Sequence, residues 1–153
     1  MQLGFDRLIE AMDSLAQDFD EEVIAQTGKG NYQPRNMTAR DAIAPGEFET
    51  LVQRCILVVS HAGIGSVLTA QRFGKPIVLM PRRATLGEHR NDHQLATARK
   101  LDGRSGIEIA MDESELAAAI GRGLDGKDIV AGVSPSVREL HRSIANFIET
   151  GRL

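Results

Sequence analysis

Apolar positions along this chain follow two spacings. Some recur every three to four residues, as on an amphipathic helix, and others run together in short blocks, as in a buried strand. Leu8, Ile9, Met12, Leu15, Ala16 and Phe19 share one side of a helix predicted over 6–19, opposite Asp6, Glu10, Asp13 and Asp18. Glu22 to Gln26 reads as a short strand, Lys29 to Arg35 as a polar loop, and Asn36 to Arg40 as another short strand. Pro45 suits the first turn of a helix whose apolar side is Phe48, Leu51 and Val52. An apolar block, Ile56 to Val59, then ends in Ser60-His61, and a glycine-bearing turn, Ala62 to Ser66, opens a helix that Gly74 closes. Pro76 leads into a second block, Ile77 to Met80.

The pattern continues beyond Pro81. A charged loop, Arg82 to Arg90, precedes a helix from about Asn91 to Leu101. Gly106 to Met111 is a strand, and Asp112 with Glu115 resembles a capping box for a helix whose Leu116, Ile120 and Leu124 point inward. After a linker, Gly126 to Gly132, a last helix is predicted over 134–150, capped by Ser134 and lined by Val137, Leu140, Ile144, Phe147 and Ile148. Alternating strands and helices imply an α/β fold: a doubly wound parallel sheet, Rossmann-like, with helices on both faces.

Composition narrows this little. At 153 residues a single domain spanning 1–153 is expected, with 42% hydrophobic and 25% charged residues as in ordinary globular proteins. The net charge of -3 argues against a nucleic-acid partner. No apolar run approaches a membrane span, and Asp6, Arg7 and Glu10 stand where a signal peptide needs an apolar core, so a cytoplasmic location is expected. The single cysteine, Cys55, excludes an internal disulfide.

Ligands of doubly wound sheets bind outside the carboxyl ends of the strands. Three segments qualify: Ser60 to Ser66, Pro81 to Gln94, and Thr27 to Asn31. The first offers backbone N–H groups from Gly63, Ile64, Gly65 and Ser66 at a helix N-terminus, which suits a diphosphate; the alternative is a turn serving only packing. The second brings Arg82, Arg83, Arg90 and Lys100, which pair well with phosphate or carboxylate; the alternative is a solvated charged loop. His61 reads as a general base, as a donor to phosphate, or as a histidine satisfied by nearby backbone. His89 and His93 are four apart and would share a helix face, yet no third ligand stands close, so no metal and no cofactor is expected. His141 reads as structural, and Asn31 and Tyr32 as loop residues placed to cover a base.

The stretch SHAGIGSVLTAQRFGKPIVLMPRR with GEHRNDHQ resembles the donor-binding half of glycosyltransferase family 28, over roughly residues 3 to 124. Within that family the likeness is greatest to single-domain catalytic subunits of two-part UDP-sugar transferases, those of dolichol-linked N-acetylglucosamine transfer and of bacterial exopolysaccharide synthesis. The resemblance implies the C-terminal half of a GT-B fold. It implies a UDP-sugar donor and a lipid-linked or polysaccharide acceptor. It also implies a separate, membrane-associated acceptor-binding subunit that would bring the chain to the inner face of a membrane. Within Asp92-His93-Gln94 it places His93 and Gln94 beside the donor sugar. It puts Thr69 at the ribose contact, where the family often has an acid. The family opens with a strand ahead of the Phe-Asp-x-Leu seen here as Phe5-Asp6-Arg7-Leu8, so the sheet is expected to lack its first strand. Unpaired strand edges would follow, and with them self-association into a homo-oligomer or a low melting temperature. Thr69 and the absent strand also fit a second reading, a non-catalytic nucleotide-binding or scaffolding module derived from the same fold.

Overall fold

The structure, a computed structural model, describes residues 3–126. The linker from residue 127 and the helix expected over 134–150 lie outside the described residues. Helices and strands alternate as α1 (Asp6–Ala16), β1 (Ile24–Gln26), β2 (Thr38–Arg40), α2 (Pro45–Arg54), β3 (Val58–His61), α3 (Ile64–Arg72), β4 (Ile77–Met80), α4 (His93–Leu101), β5 (Ile107–Ile109) and α5 (Leu116–Asp125). All strand pairs are parallel.

β4 lies between β3 and β5, with Ile77 opposite both Val58 and Ile107. Its four residues are buried, which suits a continuous apolar run covered on both faces. On one face Ile77 and Leu79 pack with Val67 and Ala70 of α3 and Ala98 and Leu101 of α4. On the other, Val78 and Met80 pack with Leu8 and Met12 of α1, Phe5 before it, and Leu116, Ala119 and Ile120 of α5. Helices therefore cover both faces, as a doubly wound sheet requires.

The parallel strands fall into two groups, β1-β2 and β3-β4-β5. No pairing joins the groups among the described residues. Val23, Met37, Leu57 and Val59 nonetheless pack against the same core as Phe5 and Leu8, so both groups lie over one apolar layer. The residues of β3 are only half-buried, in contrast to those of β4.

Three expectations shift. β3 runs over Val58–His61 and not over 56–59, and Ile56 is 56% exposed. Pairing starts where the Val58 amide reaches the carbonyl of Pro76, 3.0 Å away, and Pro76 has no N–H to extend the ladder backwards. Leu124, expected inward, is 46% exposed. The inward stripe of α5 is instead Leu116, Ala119, Ile120 and Gly123, and a Cβ on Gly123 would lie 2.9 Å from a methyl of Leu57. α1 stops at Ala16, and Phe19 packs on the core from the turn that follows. The two acids before α5 both cap, though not reciprocally: Asp112 accepts the Ser114 amide at 2.9 Å, and Glu115 accepts the Met111 amide at 2.8 Å.

Candidate functional site

Three loops follow the carboxyl ends of β1, β3 and β4, and those after β3 and β4 touch through His61 and Gln94. The first follows β3. Gly63 caps α3 with no side-chain bond, and the amides of Ile64, Gly65 and Ser66 have no acceptor among the described residues. These are the free donors of a helix N-terminus, with its positive dipole end. Ser60 Oγ donates to Ser66 Oγ at 3.0 Å and tethers the strand to the first turn. The two glycines answer different needs. A Cβ on Gly63 would fall 2.2 Å from His61 Cε1, so the imidazole itself demands glycine there. A Cβ on Gly65 would meet nothing within 4 Å; the residue is exposed and opens onto free space. Thr69, one helical turn on, donates its hydroxyl to the Gly65 carbonyl at 2.9 Å, so only its lone pairs remain for a ligand.

His61 ends β3 and meets Gln94, the second residue of α4, with Nδ1 3.3 Å from the amide nitrogen. The Gln94 carbonyl oxygen accepts the Arg82 backbone amide at 3.1 Å. That contact orients the carboxamide, so its NH2 faces the imidazole and can only donate. Nδ1 therefore accepts, and the neutral ring carries its proton on Nε2. Burial, then the charges of Arg82 and His89, push the pKa of His61 down to about 4. In an NMR titration the His61 ring protons should shift with a midpoint near pH 4 and stay flat from pH 6 to 8; a midpoint above 6 would overturn this assignment.

The second loop follows β4. Three successive amides are each received by a side chain from the GEHRNDHQ stretch: Arg82 by Gln94, Arg83 by Glu88 at 2.9 Å, and Ala84 by Asp92 at 3.0 Å. Gly87, at φ 70°, makes the left-handed turn that brings Glu88 back. The Arg82 guanidinium lies over the Phe5 ring, 5.1 Å from its centre, and its Nε is buried with no partner among the described residues. Burial disfavours its charge and lowers its pKa. Arg83 Nη2 donates to the Met111 carbonyl at 2.8 Å, while its Nε is buried and unpaired among the described residues. An anion approaching this rim would find poorly solvated positive charge. Arg90 and Lys100 are exposed, as is His93.

The third loop, beyond β1, is tied down by carboxylates of α1. Asp6 accepts the Asn31 amide at 3.0 and 2.9 Å. Asp13, buried at 3% exposure, accepts the Tyr32 hydroxyl at 2.9 Å and the amides of Arg35 and Asn36 at 2.9 and 2.7 Å.

Several expected roles change. Tyr32 is an anchor to Asp13, so its hydroxyl is already committed. His89 precedes α4 and His93 begins it, so the two share no helix face; the His89 Nδ1 instead meets Asn91 at 3.1 Å. Gln94 is buried at 9% exposure and engaged at both ends, leaving one N–H and one lone pair for a sugar. Sequence reasoning passed over Arg7, Phe5, Asp13 and Glu88. Only Glu88 carried a local signal, since it stands five residues from the amide it accepts, whereas Asp13 is 22 residues from the nearer of its two. Two hollows of about 90 and 490 Å³ lie at the opposite end of the sheet, around Pro76, Gly106 and Cys55, away from these loops.

A parallel sheet with helices on both faces and an open helix N-terminus at its carboxyl end is a Rossmann-like layout, the form of one half of a GT-B fold. Solved glycosyltransferases share the arrangement. The spinosyn forosaminyltransferase SpnP superposes with a TM-score of 0.60 at 20% identity, over 94% of this chain and 36% of that one. The glycotransferase of kitacinnamycin gives 0.63 at 19%, over 99% and 40%. The chain belongs to the glycosyltransferase family 28 C-terminal domain family, which matches residues 3–129. It is similar to the UDP-N-acetylglucosamine transferase subunit ALG13 of Eremothecium gossypii, 34% identical over 95 residues, covering 61% of this chain and 44% of that protein. The same subunit in Cryptococcus neoformans var. neoformans is 42% identical over 59 residues, 37% of this chain and 28% of that protein. The chain thus spans less than half the length of the curated relatives it matches.

Proposed function

We propose that this chain is the donor-binding, catalytic part of a glycosyltransferase that takes a UDP-sugar and works with a separate acceptor-binding subunit. The observation that carries the reading is the pairing of two features at one end of the sheet. Free amides of Ile64, Gly65 and Ser66 follow β3, and the partly desolvated cations of Arg82 and Arg83 follow β4, its parallel neighbour. The diphosphate would lie on those amides. In the transfer, the acceptor hydroxyl oxygen bonds to the anomeric carbon and its proton passes to water, while the bond from that carbon to the diphosphate breaks. The departing UDP takes the electron pair, and the amides, the arginines and the Nε2–H of His61 stabilise its growing charge. His61 is thus a donor in this reading, not a base. Thr69 accepts from a ribose hydroxyl, and Gln94 and His93 border the sugar. The acceptor, lipid-linked or polysaccharide, would be presented by a membrane-attached partner. Among the described residues no helix is long and apolar enough to cross a membrane.

Calorimetry with UDP and several UDP-sugars tests the reading. Saturable UDP binding is expected, and its absence would refute it. Arg82→Ala and Arg83→Ala should each weaken UDP binding more at low salt than at high, because salt already screens such contacts. A donor with a carboxylate on its sugar, such as a glucuronosyl donor, should lose more than a neutral one in at least one of the two variants. Equal losses would count against a carboxylate clamp.

A further inference from the structure

We propose that Arg7 is a positioning residue that sets the anion-binding geometry of Arg82 and Arg83 through Glu88. The inference rests on the UDP-binding reading for its consequence, though not for its geometry. Arg7 stands in the first turn of α1, far in sequence from the loop it holds. Its Nε and Nη2 donate to the two oxygens of Glu88 at 2.7 and 2.9 Å, a bidentate pair. Nη2 also donates to the Pro81 carbonyl at 3.1 Å, and Nη1 to Glu113 at 2.9 Å. The two side chains of the central pair are only 14% and 11% exposed. The Glu88 oxygen that takes Nη2 also takes the Arg83 amide. One guanidinium thus grips the loop at its first residue, Pro81, and at Glu88, where the chain turns back.

A second contact runs in parallel. The Phe5 ring carries the Arg7 guanidinium 5.4 Å from its centre and that of Arg82 at 5.1 Å. Arg82 is thereby steered by its ring contact, and Arg83 by its amide. Neither cation is held to this rim by an acid: no ion pair of Arg82 or Arg83 occurs among the described residues. The acid of the loop, Glu88, makes its ion pair with Arg7 and not with the cations beside it. A lysine could not do this, having no planar fork to span both oxygens.

The test uses Arg7→Met together with Glu88→Gln, which removes both charges of the pair and leaves neither of them buried alone. UDP affinity should fall roughly ten-fold, a coupling usual for residues in one network. In the background of Arg82→Ala with Arg83→Ala the same change should cost almost nothing further. Full additivity would overturn the proposal, because a general loss of stability weakens binding whether or not the arginines are present. Hydrogen exchange supplies a readout without ligand. The amides of Arg82, Arg83 and Ala84 should exchange faster in the double variant while those of β4 and α3 keep their protection. Unchanged exchange at these three amides would also overturn it. If the unaltered chain binds no UDP, the functional reading falls and the exchange experiment still decides the clamp.

Discussion

Replacing Gly65 by valine is expected to abolish UDP binding while the far-UV circular dichroism stays native. The residue lies in the first turn of α3 at an ordinary backbone conformation, so valine meets no left-handed strain. A Cβ there meets no protein atom within 4 Å, so valine also displaces nothing. Its branches would instead fill the space beside the free amides, where the phosphate oxygens need to approach to about 2.9 Å. A bulky group at that spot should reduce affinity by at least a hundred-fold. Gly63→Val would not serve as well, because its side chain would strike the His61 ring and mix folding with binding. Undiminished UDP affinity in Gly65→Val would remove this turn from the site.

The largest effect on stability is expected from Asp13→Ala. A buried carboxylate there receives the Tyr32 hydroxyl and two backbone amides, and its own carbonyl takes the Asn36 side chain at 3.2 Å. Loss of the carboxylate leaves the Tyr32 hydroxyl and the two amides without a partner, among the most damaging classes of substitution. The melting temperature should fall on the order of 10 °C. Burial works to raise the pKa of Asp13, but the amides of Asn36 and Arg35 and the Tyr32 hydroxyl outweigh it and hold the carboxyl below its ordinary value. The unfolded chain therefore binds the proton more readily than the folded one. The stabilisation is present in full above the unfolded pKa, near 4, and is lost as pH falls through the lower folded value. Melting temperature against pH should show a decline below about pH 4 that Asp13→Ala removes. A variant that melts like the parent, with the same acid limb, would show that the loop is held by other means.

Much of this architecture was legible from period alone. Ile77 to Met80 forms a buried central strand because four apolar residues between Pro76 and Pro81 suit a ladder covered on both faces. The helix after Gly63 and the capping role of Asp112 are also readable, since turn and cap chemistry is local. What escaped is non-local. Nothing in the spacing of Arg7 and Glu88 tells that residues 81 apart form a bidentate pair. Asp13 reads as the solvent side of an amphipathic helix until the loop carrying Tyr32 and Asn36 is seen to fold over it. The GEHRNDHQ stretch reads as ligand contacts, yet three of its side chains first serve the backbone of the loop before it. A polar residue in a motif also answers the nearer donors of its own chain, and both claims meet on the side chain of Gln94.

The break between β2-β1 and β3-β4-β5 has a consequence for cooperativity. A continuous ladder couples all its strands, so they protect their amides together; a ladder divided by a gap has two opening units. The smaller one, β1-β2, is held to the rest by side chains: the carboxylates of Asp6 and Asp13 and the apolar contacts of Val23 and Met37. Amides of Ile24 to Gln26 should therefore exchange well before those of Ile77 to Met80. A nucleotide reaching from the turn after β3 to the loop after β1 would bridge these units and bind best when both are closed. Whatever steadies the smaller unit, an anchoring carboxylate or a neighbouring strand, would then raise affinity without touching the ligand.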